Sequence, residues 1–276
     1  MSEILTIDFK SENAPTDFVK SLSTTGFAII KNHGLNSELI SKTYQDWKLF
    51  FDLEKKHHYL FDLEKQDGYF PFKSENAQGY KTKDLKEFFH IYRWGRYPKE
   101  ISNATKRIHQ DLMILGAQFL DYLDDYAPNS IRAKFSMKLS EMINGSGQNL
   151  LRIIHYPPIQ IKDTLDGSIR AEAHTDINLI TILIAEPGLQ VINSSGDWID
   201  VDLPKNSIVV NIGDMLQECS EGFYKSTVHR VINPIDNNNS RYSMPLFIHP
   251  RDEVKLSTTL TAKEYLAKRL KEIGLK

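Results

Sequence analysis

The chain has 276 residues and a single cysteine, Cys219, so no disulfide can form within it. Chains without disulfides are typical of reducing compartments, and we therefore expect a cytoplasmic protein. No segment approaches the roughly 20 apolar residues that span a bilayer. Met1–Lys10 carries charge early and has no long apolar run, so we expect neither a membrane span nor a signal peptide.

Neither sign of charge dominates the sequence. Lys and Arg number 34 and Asp and Glu number 36, which leaves a formal net charge of -2. A nucleic-acid-binding or membrane-surface protein usually carries a basic excess. We therefore expect no nucleic acid and no membrane as partner.

The first half of the chain, which we take as residues 1–145, is predicted to be a mixed region of helices and strand that packs on the core. Apolar residues recur at steps of three and four through residues 103–126, as expected for a long amphipathic helix. The other elements predicted in this half are helices at 15–24, 36–55 and 129–143 and a strand at Phe27–Lys31. The aromatic-rich stretch 57–98 has no regular period, and we expect core packing and loops there.

The second half, residues 146–276, contains short β-branched and aromatic runs. They are separated by turn signals such as Pro187-Gly188, Ser195-Gly196 and Asn237-Asn238-Asn239. The predicted strands are Leu150–Tyr156, Leu179–Ile184, Leu189–Asn193, Ser207–Asn211, Thr227–Ile232 and Tyr242–Ile248. A final helix is predicted after Thr261, with Glu264 completing a capping box. The pattern predicts an α+β protein with a mainly β core, a sandwich or jelly roll, packed with the first half as one compact unit.

His174-Thr175-Asp176 is the first candidate for a metal site. Residues i and i+2 of an extended segment point to the same face, so His174 and Asp176 can direct an imidazole and a carboxylate at one point. His229 follows in another predicted strand, and antiparallel pairing can bring it beside them. Two histidines and one carboxylate on one face form the facial triad of non-haem Fe(II) oxygenases.

Arg241-Tyr242-Ser243 is a candidate carboxylate site by the same spacing argument. A guanidinium makes bidentate bonds to a carboxylate and keeps its charge, and the hydroxyl of Ser243 adds a donor. The phenol of Tyr156, at the end of a predicted strand, can reach the same carboxylate. A dicarboxylic keto acid whose other end chelates the metal fits this arrangement.

These motifs, taken together, resemble the isopenicillin N synthase-like branch of the Fe(II)/2-oxoglutarate-dependent oxygenases. The matching stretches are Gly26–Gly34, Asp84–Phe89, Leu151–Pro158, His174–Ile184, Val209–Gln217, Tyr224–Val231 and Arg241–Pro245. His155 departs from the plant members, which usually carry Asn there, and we assign it no role.

The resemblance implies a double-stranded β-helix (jelly-roll) core flanked by helices. It implies Fe(II) on His174, Asp176 and His229. It also implies 2-oxoglutarate on Arg241, Ser243 and Tyr156. O2 is the implied co-substrate and ascorbate a candidate reductant. The expected activity is oxidation of a C–H bond of a small organic substrate by hydroxylation, desaturation or ring closure, with release of succinate and CO2.

Three other functions stay open on the residues alone. Isopenicillin N synthase and the ethylene-forming oxidase keep an Arg-x-Ser pair for other carboxylates and do not use 2-oxoglutarate. Zinc accepts two histidines and a carboxylate, but a zinc hydrolase would leave Arg241 and Ser243 without a task. An inert binding protein would be expected to have lost a metal ligand.

The motifs do not identify the prime substrate, the type of oxidation or the oligomeric state. Candidate substrate contacts are Tyr69–Phe72, Phe88–Arg93 and Phe247. Arg93 is a candidate for contact with an anionic substrate, on charge and position alone.

Overall fold

The structure, a computed structural model, describes residues 4–76, 82–164, 167–234 and 238–272. The strands are β1 (Thr6–Asp8), β2 (Phe27–Lys31), β3 (Gly68–Phe70), β4 (Glu87–Ile91), β5 (Leu150–Tyr156), β6 (Ala171–His174), β7 (Ile180–Ala185), β8 (Leu189–Ile192), β9 (Trp198–Asp200), β10 (Ser207–Ile212), β11 (His229–Val231) and β12 (Arg241–Ile248). The helices are α1 (Ala14–Thr25), α2 (Ser37–Asp52), α3 (Ala104–Asp125), α4 (Asn129–Arg132), α5 (Leu139–Met142), α6 (Asp214–Cys219) and α7 (Ala262–Glu272), and 3-10 segments lie at Glu54–Tyr59 and Ile161–Asp163.

Two β-sheets form the core of the described chain, as expected for a jelly roll. The larger sheet has eight strands in the order β1-β2-β10-β7-β12-β5-β4-β3, and the smaller has four in the order β6-β11-β8-β9. One cavity is lined by side chains from both sheets. Strands β1 to β4, from the first half of the chain, complete the edges of the larger sheet. The boundary predicted near residue 145 stays a prediction.

The register of the larger sheet decides which side chains face the cavity. Strands β12 and β5 pair antiparallel, with Arg241 opposite Tyr156 and Ser243 opposite Ile154. Side chains two residues apart share a face. Alternate residues of each strand therefore line the cavity: Arg241, Ser243, Pro245 and Phe247 on β12, and Arg152, Ile154 and Tyr156 on β5.

Helix α3 covers the opposite face of the larger sheet. The apolar positions predicted for it, Ile108, Leu112, Leu115, Phe119 and Leu123, are all buried. Burying side chains of this size contributes roughly 1.5–3 kcal/mol each relative to exposure. Searched over the described residues alone, the chain contains no helix that is both long and apolar enough to cross a membrane.

Several predicted boundaries are confirmed and others are wrong. Asn36 caps α2, since its side chain accepts hydrogen bonds from the backbone N–H groups of Glu38 and Leu39. Thr261 and Glu264 form the predicted capping box. The single helix predicted at 129–143 is wrong, because α4 and α5 are separate.

Residues between α4 and α5, and the first residue of α5, bond to other parts of the chain instead of continuing α4. The Ser136 hydroxyl donates to the carbonyl of Lys255, and the Leu139 N–H donates to the carboxylate of Asp124.

Strand β4 lies in the stretch 57–98, which has no regular sequence period. All five of its residues are buried, so it has no polar–apolar alternation. The turn predicted at Asn237–Asn239 lies partly outside the described residues.

The turn at Gly213 gives a test of this packing. A Cβ there would overlap the backbone carbonyl of Asn178, whose carbon would be 2.7 Å away. We expect Gly213→Ala to lower the free energy of unfolding by about 1–3 kcal/mol, the range for overpacking against a backbone that cannot move aside. Gly147→Ala is the matched control, since its Cβ would be 3.8 Å from the nearest atom, on Trp94. Urea unfolding that finds the two variants equally stable would contradict the packing described for Gly213.

Candidate active site

Three side chains converge on one point in the cavity that both sheets line: those of His174, Asp176 and His229. His174 ends β6 and His229 begins β11, and the two residues are paired directly opposite each other. Asp176 lies in the turn after β6. One ligand atom from each residue lies within 4.8 Å of the others, and the described residues contain no other cluster of this kind. The structure therefore brings together the three residues that spacing alone suggested.

Both imidazoles have their coordinating nitrogen free. The Nδ1 atom of His174 is 2.6 Å from the carbonyl oxygen of Glu172, and that of His229 is 3.1 Å from the carbonyl oxygen of Thr227. A carbonyl oxygen only accepts, so both Nδ1 atoms must carry the proton. The Nε2 lone pairs of the two rings are left for a ligand, which is the usual arrangement at metal sites.

Two buried donors orient the carboxylate of Asp176. Its Oδ2 accepts from the hydroxyl of Thr181 at 2.6 Å and from the side-chain amide of Asn211 at 2.8 Å. The other oxygen, Oδ1, lies 3.8 Å from Nε2 of His229. One oxygen is thus anchored to the larger sheet while the other faces the histidines. Thr181 and Asn211 lie within stretches that resemble the family, but sequence reasoning gave neither of them a role.

The protonation states suit a divalent cation. Burial, reinforced by the nearby ring of His229, lowers the pKa of His174 to about 4. Burial alone would raise the pKa of Asp176, but His229, His174 and the two hydrogen-bond donors lower it below its ordinary value. At neutral pH this describes a neutral imidazole at His174 and a carboxylate at Asp176. This donor set fits Fe(II), for which two histidines and one carboxylate are a recognised combination.

The other end of the cavity presents Arg241. Its Nε and Nη2 atoms donate to the carbonyl oxygens of Pro187 and Glu186, each at 2.8 Å. Its Nη1 is buried and has no hydrogen-bond partner among the described residues. A buried guanidinium nitrogen without a partner is costly and indicates a missing acceptor.

The residues predicted to accompany Arg241 lie beside it in the cavity wall. Ser243 is buried two residues along β12 and lines the cavity. The Tyr156 ring lies 4.9 Å from the guanidinium of Arg241, a cation–π contact. The structure therefore brings Arg241, Ser243 and Tyr156 into one region, separate from the cluster of His174, Asp176 and His229.

Arg170 adds a second buried guanidinium to this region, and sequence reasoning missed it. It lies 5.9 Å from the Tyr156 ring, and its Nε also lacks a hydrogen-bond partner among the described residues. Burial and the charge of Arg241 lower the pKa of Arg170. Two like charges held this close in a buried region favour an anionic ligand.

Comparisons with known proteins agree with this geometry. Residues 147–250 match the 2OG-Fe(II) oxygenase superfamily, and residues 6–111 match the N-terminal region of the non-haem dioxygenases in morphine synthesis. The crystal structure of a "putative oxygenase" from Shewanella oneidensis is 42% identical, covers 99% of this chain and 100% of that chain, and superposes with a TM-score of 0.90. The chain belongs to the 2OG-Fe(II) oxygenase superfamily.

Other members are more distant. A flavonol synthase/flavanone 3-hydroxylase from Eustoma exaltatum is 28% identical over 82% of this chain and 68% of its own length. A full-length Neurospora crassa protein in complex with alpha-KG is 23% identical, with a TM-score of 0.80 over 97% of this chain and 96% of that chain, and shows the shared fold. The family resemblance and the jelly-roll prediction are confirmed. This oxygenase uses Fe(II), 2-oxoglutarate and O2 to oxidise a small organic substrate.

The anchoring of Asp176 generates a prediction for this oxygenase. Thr181→Val keeps the side-chain shape and removes one of the two donors to Oδ2. We expect the affinity for Mn(II) or Fe(II) to fall about tenfold to a hundredfold, as is typical when a supporting hydrogen bond to a metal ligand is lost. Thr43→Val is the matched control, because Thr43 is buried in α2 and its hydroxyl donates to the carbonyl of Leu39. Calorimetric titration with Mn(II) measures both, and equal affinities for the two variants would refute the role given to Thr181.

Proposed function

We propose that His174, Asp176 and His229 hold the ferrous ion of this oxygenase. The support is their convergence, the free Nε2 atoms and the single free oxygen of Asp176. Three protein ligands leave about three coordination positions open, which is what a chelating keto acid and O2 require. When bound, the iron supplies the site at which O2 and the keto acid react, with loss of CO2 and formation of succinate.

We propose that Arg241, Ser243 and Tyr156 hold the distal carboxylate of 2-oxoglutarate. The observation that carries this assignment is the buried Nη1 of Arg241, which has no partner among the described residues. A carboxylate there would accept from Nη1 and from the Ser243 hydroxyl, and Arg170 would add positive charge behind Tyr156. The keto acid would then extend along the inward face of β12 toward the histidines.

The walls between the two ends are apolar. Leu183, Leu189, Val231 and Pro245 line the cavity together with Phe27. Such walls exclude bulk water, which strengthens the electrostatic contacts inside and limits side reactions. The protein's own contribution to the oxidation is therefore to orient the two bound molecules and to keep the site dry.

A cytoplasmic location stays part of the proposal. A reducing compartment keeps iron ferrous, and the one cysteine, Cys219, is buried in α6, where burial raises its thiol pKa to about 12. A small-molecule partner is what the superfamily implies. We further propose that residues 1–145 and 146–276 fold as one unit, since both contribute strands to the larger sheet.

Arg241→Lys tests the keto-acid assignment, since lysine keeps the charge but cannot form the planar fork. We expect the dissociation constant for 2-oxoglutarate to rise about tenfold to a hundredfold, the worth of a charge-assisted hydrogen bond, while Mn(II) affinity stays unchanged. Anaerobic titration of the Fe(II)-loaded protein, followed by the visible iron-to-keto-acid charge-transfer band, gives the constant. Arg230→Lys is the control, because Arg230 lies on β11 between two residues that line the cavity, while its own side chain stacks on Trp198 at 4.1 Å and does not line it. Unchanged 2-oxoglutarate affinity in Arg241→Lys would show that the distal carboxylate binds elsewhere.

His229→Ala tests the metal assignment independently. Removing one of three ligands should abolish measurable Mn(II) binding and, with it, the charge-transfer band. Wild-type protein in air with Fe(II) and 2-oxoglutarate should form succinate, which chromatography detects. Succinate formation by His229→Ala at the wild-type rate, or none by the wild type, would contradict the proposed function.

A further inference from the structure

Arg152 is a second arginine that lines the cavity, on the wall formed by β5 and β12. Arg152 lies on β5 four residues before Tyr156, so the two side chains share a face, about 13 Å apart along the strand. Tyr156 is paired with Arg241. This wall thus carries the guanidinium of Arg241 at the end proposed for the keto acid and the guanidinium of Arg152 well away from that end.

The sheet register places Arg152 toward the metal end. On β12, Leu246 is opposite Leu151 of β5, and on the other side Phe247 is opposite Thr181 of β7. Thr181, which anchors Asp176, is therefore level with Leu150 of β5. Arg152 is two residues from that level and two strands across, which corresponds to about 12 Å. A group held by Arg152 would lie beside the metal ligands and not at the position given to the distal carboxylate.

Arg152 is held in place with part of its donor capacity left over. Its guanidinium lies 4.5 Å from the Phe88 ring and 5.4 Å from the Phe247 ring. Its Nε donates to Nε2 of His90 at 2.8 Å, and single long contacts of 3.3 and 3.5 Å lead from Nη1 and Nη2 to Glu75. Since a guanidinium has five N–H donors, two lie outside these bonds.

His90 acts on Arg152 as a fixed acceptor. Its Nδ1 is 2.7 Å from the carbonyl oxygen of Gln66, so Nδ1 carries the proton and Nε2 accepts. Burial, together with the charge of Arg152, holds the pKa of His90 well below its usual value. A neutral histidine orients the guanidinium without neutralising it.

Lys86 brings a second cation to the same side of the cavity. Its ammonium group pairs with Asp84 at 2.7 Å and shares Glu75 with Arg152 at 2.8 Å. It lines the cavity and is buried. Burying charges costs several kcal/mol each, and Asp84 and Glu75 offset that cost here. Since both cations lie at the wall of the reaction cavity and share Glu75, an anionic ligand entering there can exchange with that carboxylate.

We propose that Arg152 and Lys86 bind the carboxylate of an organic acid that is the prime substrate. The anion would share or replace Glu75 as partner of the two cations, and Phe247, which lines the cavity, would contact the apolar part of the molecule. The planar guanidinium of Arg152 can donate two parallel hydrogen bonds to a carboxylate, whereas a neutral primary amide would accept them only at its single oxygen. The proposal rests on the proposed function, since it names the substrate class of that same site. Arg93, the candidate from sequence, is exposed and does not line the cavity.

The test compares small monocarboxylic acids with their matched primary amides. Enzyme loaded with Fe(II) and 2-oxoglutarate is titrated anaerobically with each probe, and perturbation of the charge-transfer band gives a dissociation constant. We expect at least one acid to bind tenfold or more tightly than its amide, and that acid to stimulate succinate formation in air. Arg152→Leu should remove the preference, Arg152→Lys should retain part of it, and Arg230→Leu should leave it unchanged.

Glu75→Gln separates ligand binding from a structural role for the cluster. Removing this competing anion should strengthen acid binding severalfold, whereas loss of a purely structural ion pair would weaken it or leave it unchanged. Equal binding of every acid and amide, or acid binding that is weaker or unchanged in Glu75→Gln, overturns the proposal. The charge-transfer band forms before any probe is added, so its absence would instead indicate failure of the proposed function.

Discussion

The carboxylate of Asp176 is the group on which the arrangement of this oxygenase depends. Its two oxygens are unequal, since Thr181 and Asn211 of the larger sheet hold Oδ2 and Oδ1 faces His229 from the smaller sheet. A buried carboxylate is costly unless donors or a cation compensate it. The hydrogen bonds supply part of that compensation, and the ferrous ion proposed for this site would supply the remainder. The same residue therefore links the two sheets at the point where His174, Asp176 and His229 converge.

The two-residue period of the strands orders the rest of the cavity. Alternate residues of β12 and β5 face the cavity. The position of such a residue along its strand therefore sets its distance from the end that holds His174, Asp176 and His229. Arg241 and Tyr156 occupy one end, and Arg152 is nearer the other. A single sheet surface can thus hold two different anions at a fixed separation, with no loop required to set that separation. The apolar residues between the ends keep the two positions distinct.

The parts of the site that a short spacing encodes could be predicted from the sequence. His174 with Asp176, and Arg241 with Ser243, are i, i+2 pairs whose common face follows from strand geometry alone. Asn211 and Arg170 are brought in by the register of distant strands and by burial, which one sequence does not encode locally. Strand β4 escaped prediction for a related reason: it is buried on both faces, which removes the alternation that marks a half-exposed strand.

The difference between short local spacings and contacts made by distant strands also explains why the chemistry was easier to predict than the substrate. The residues proposed to bind the metal and the keto acid lie on β5, β6, β11 and β12 or directly after β6, in the second half of the chain, and their motifs are short. The cluster around Arg152 combines that strand residue with Glu75, Lys86 and His90 from the first half, and it forms only when β4 pairs with β5. His90 illustrates the consequence, since it lies outside the cluster of His174, Asp176 and His229 and yet orients an arginine that faces the cavity. Selection of a substrate is thereby separated in the chain from the oxidation itself, so the cavity wall around β4 can change without disturbing Asp176 and its donors.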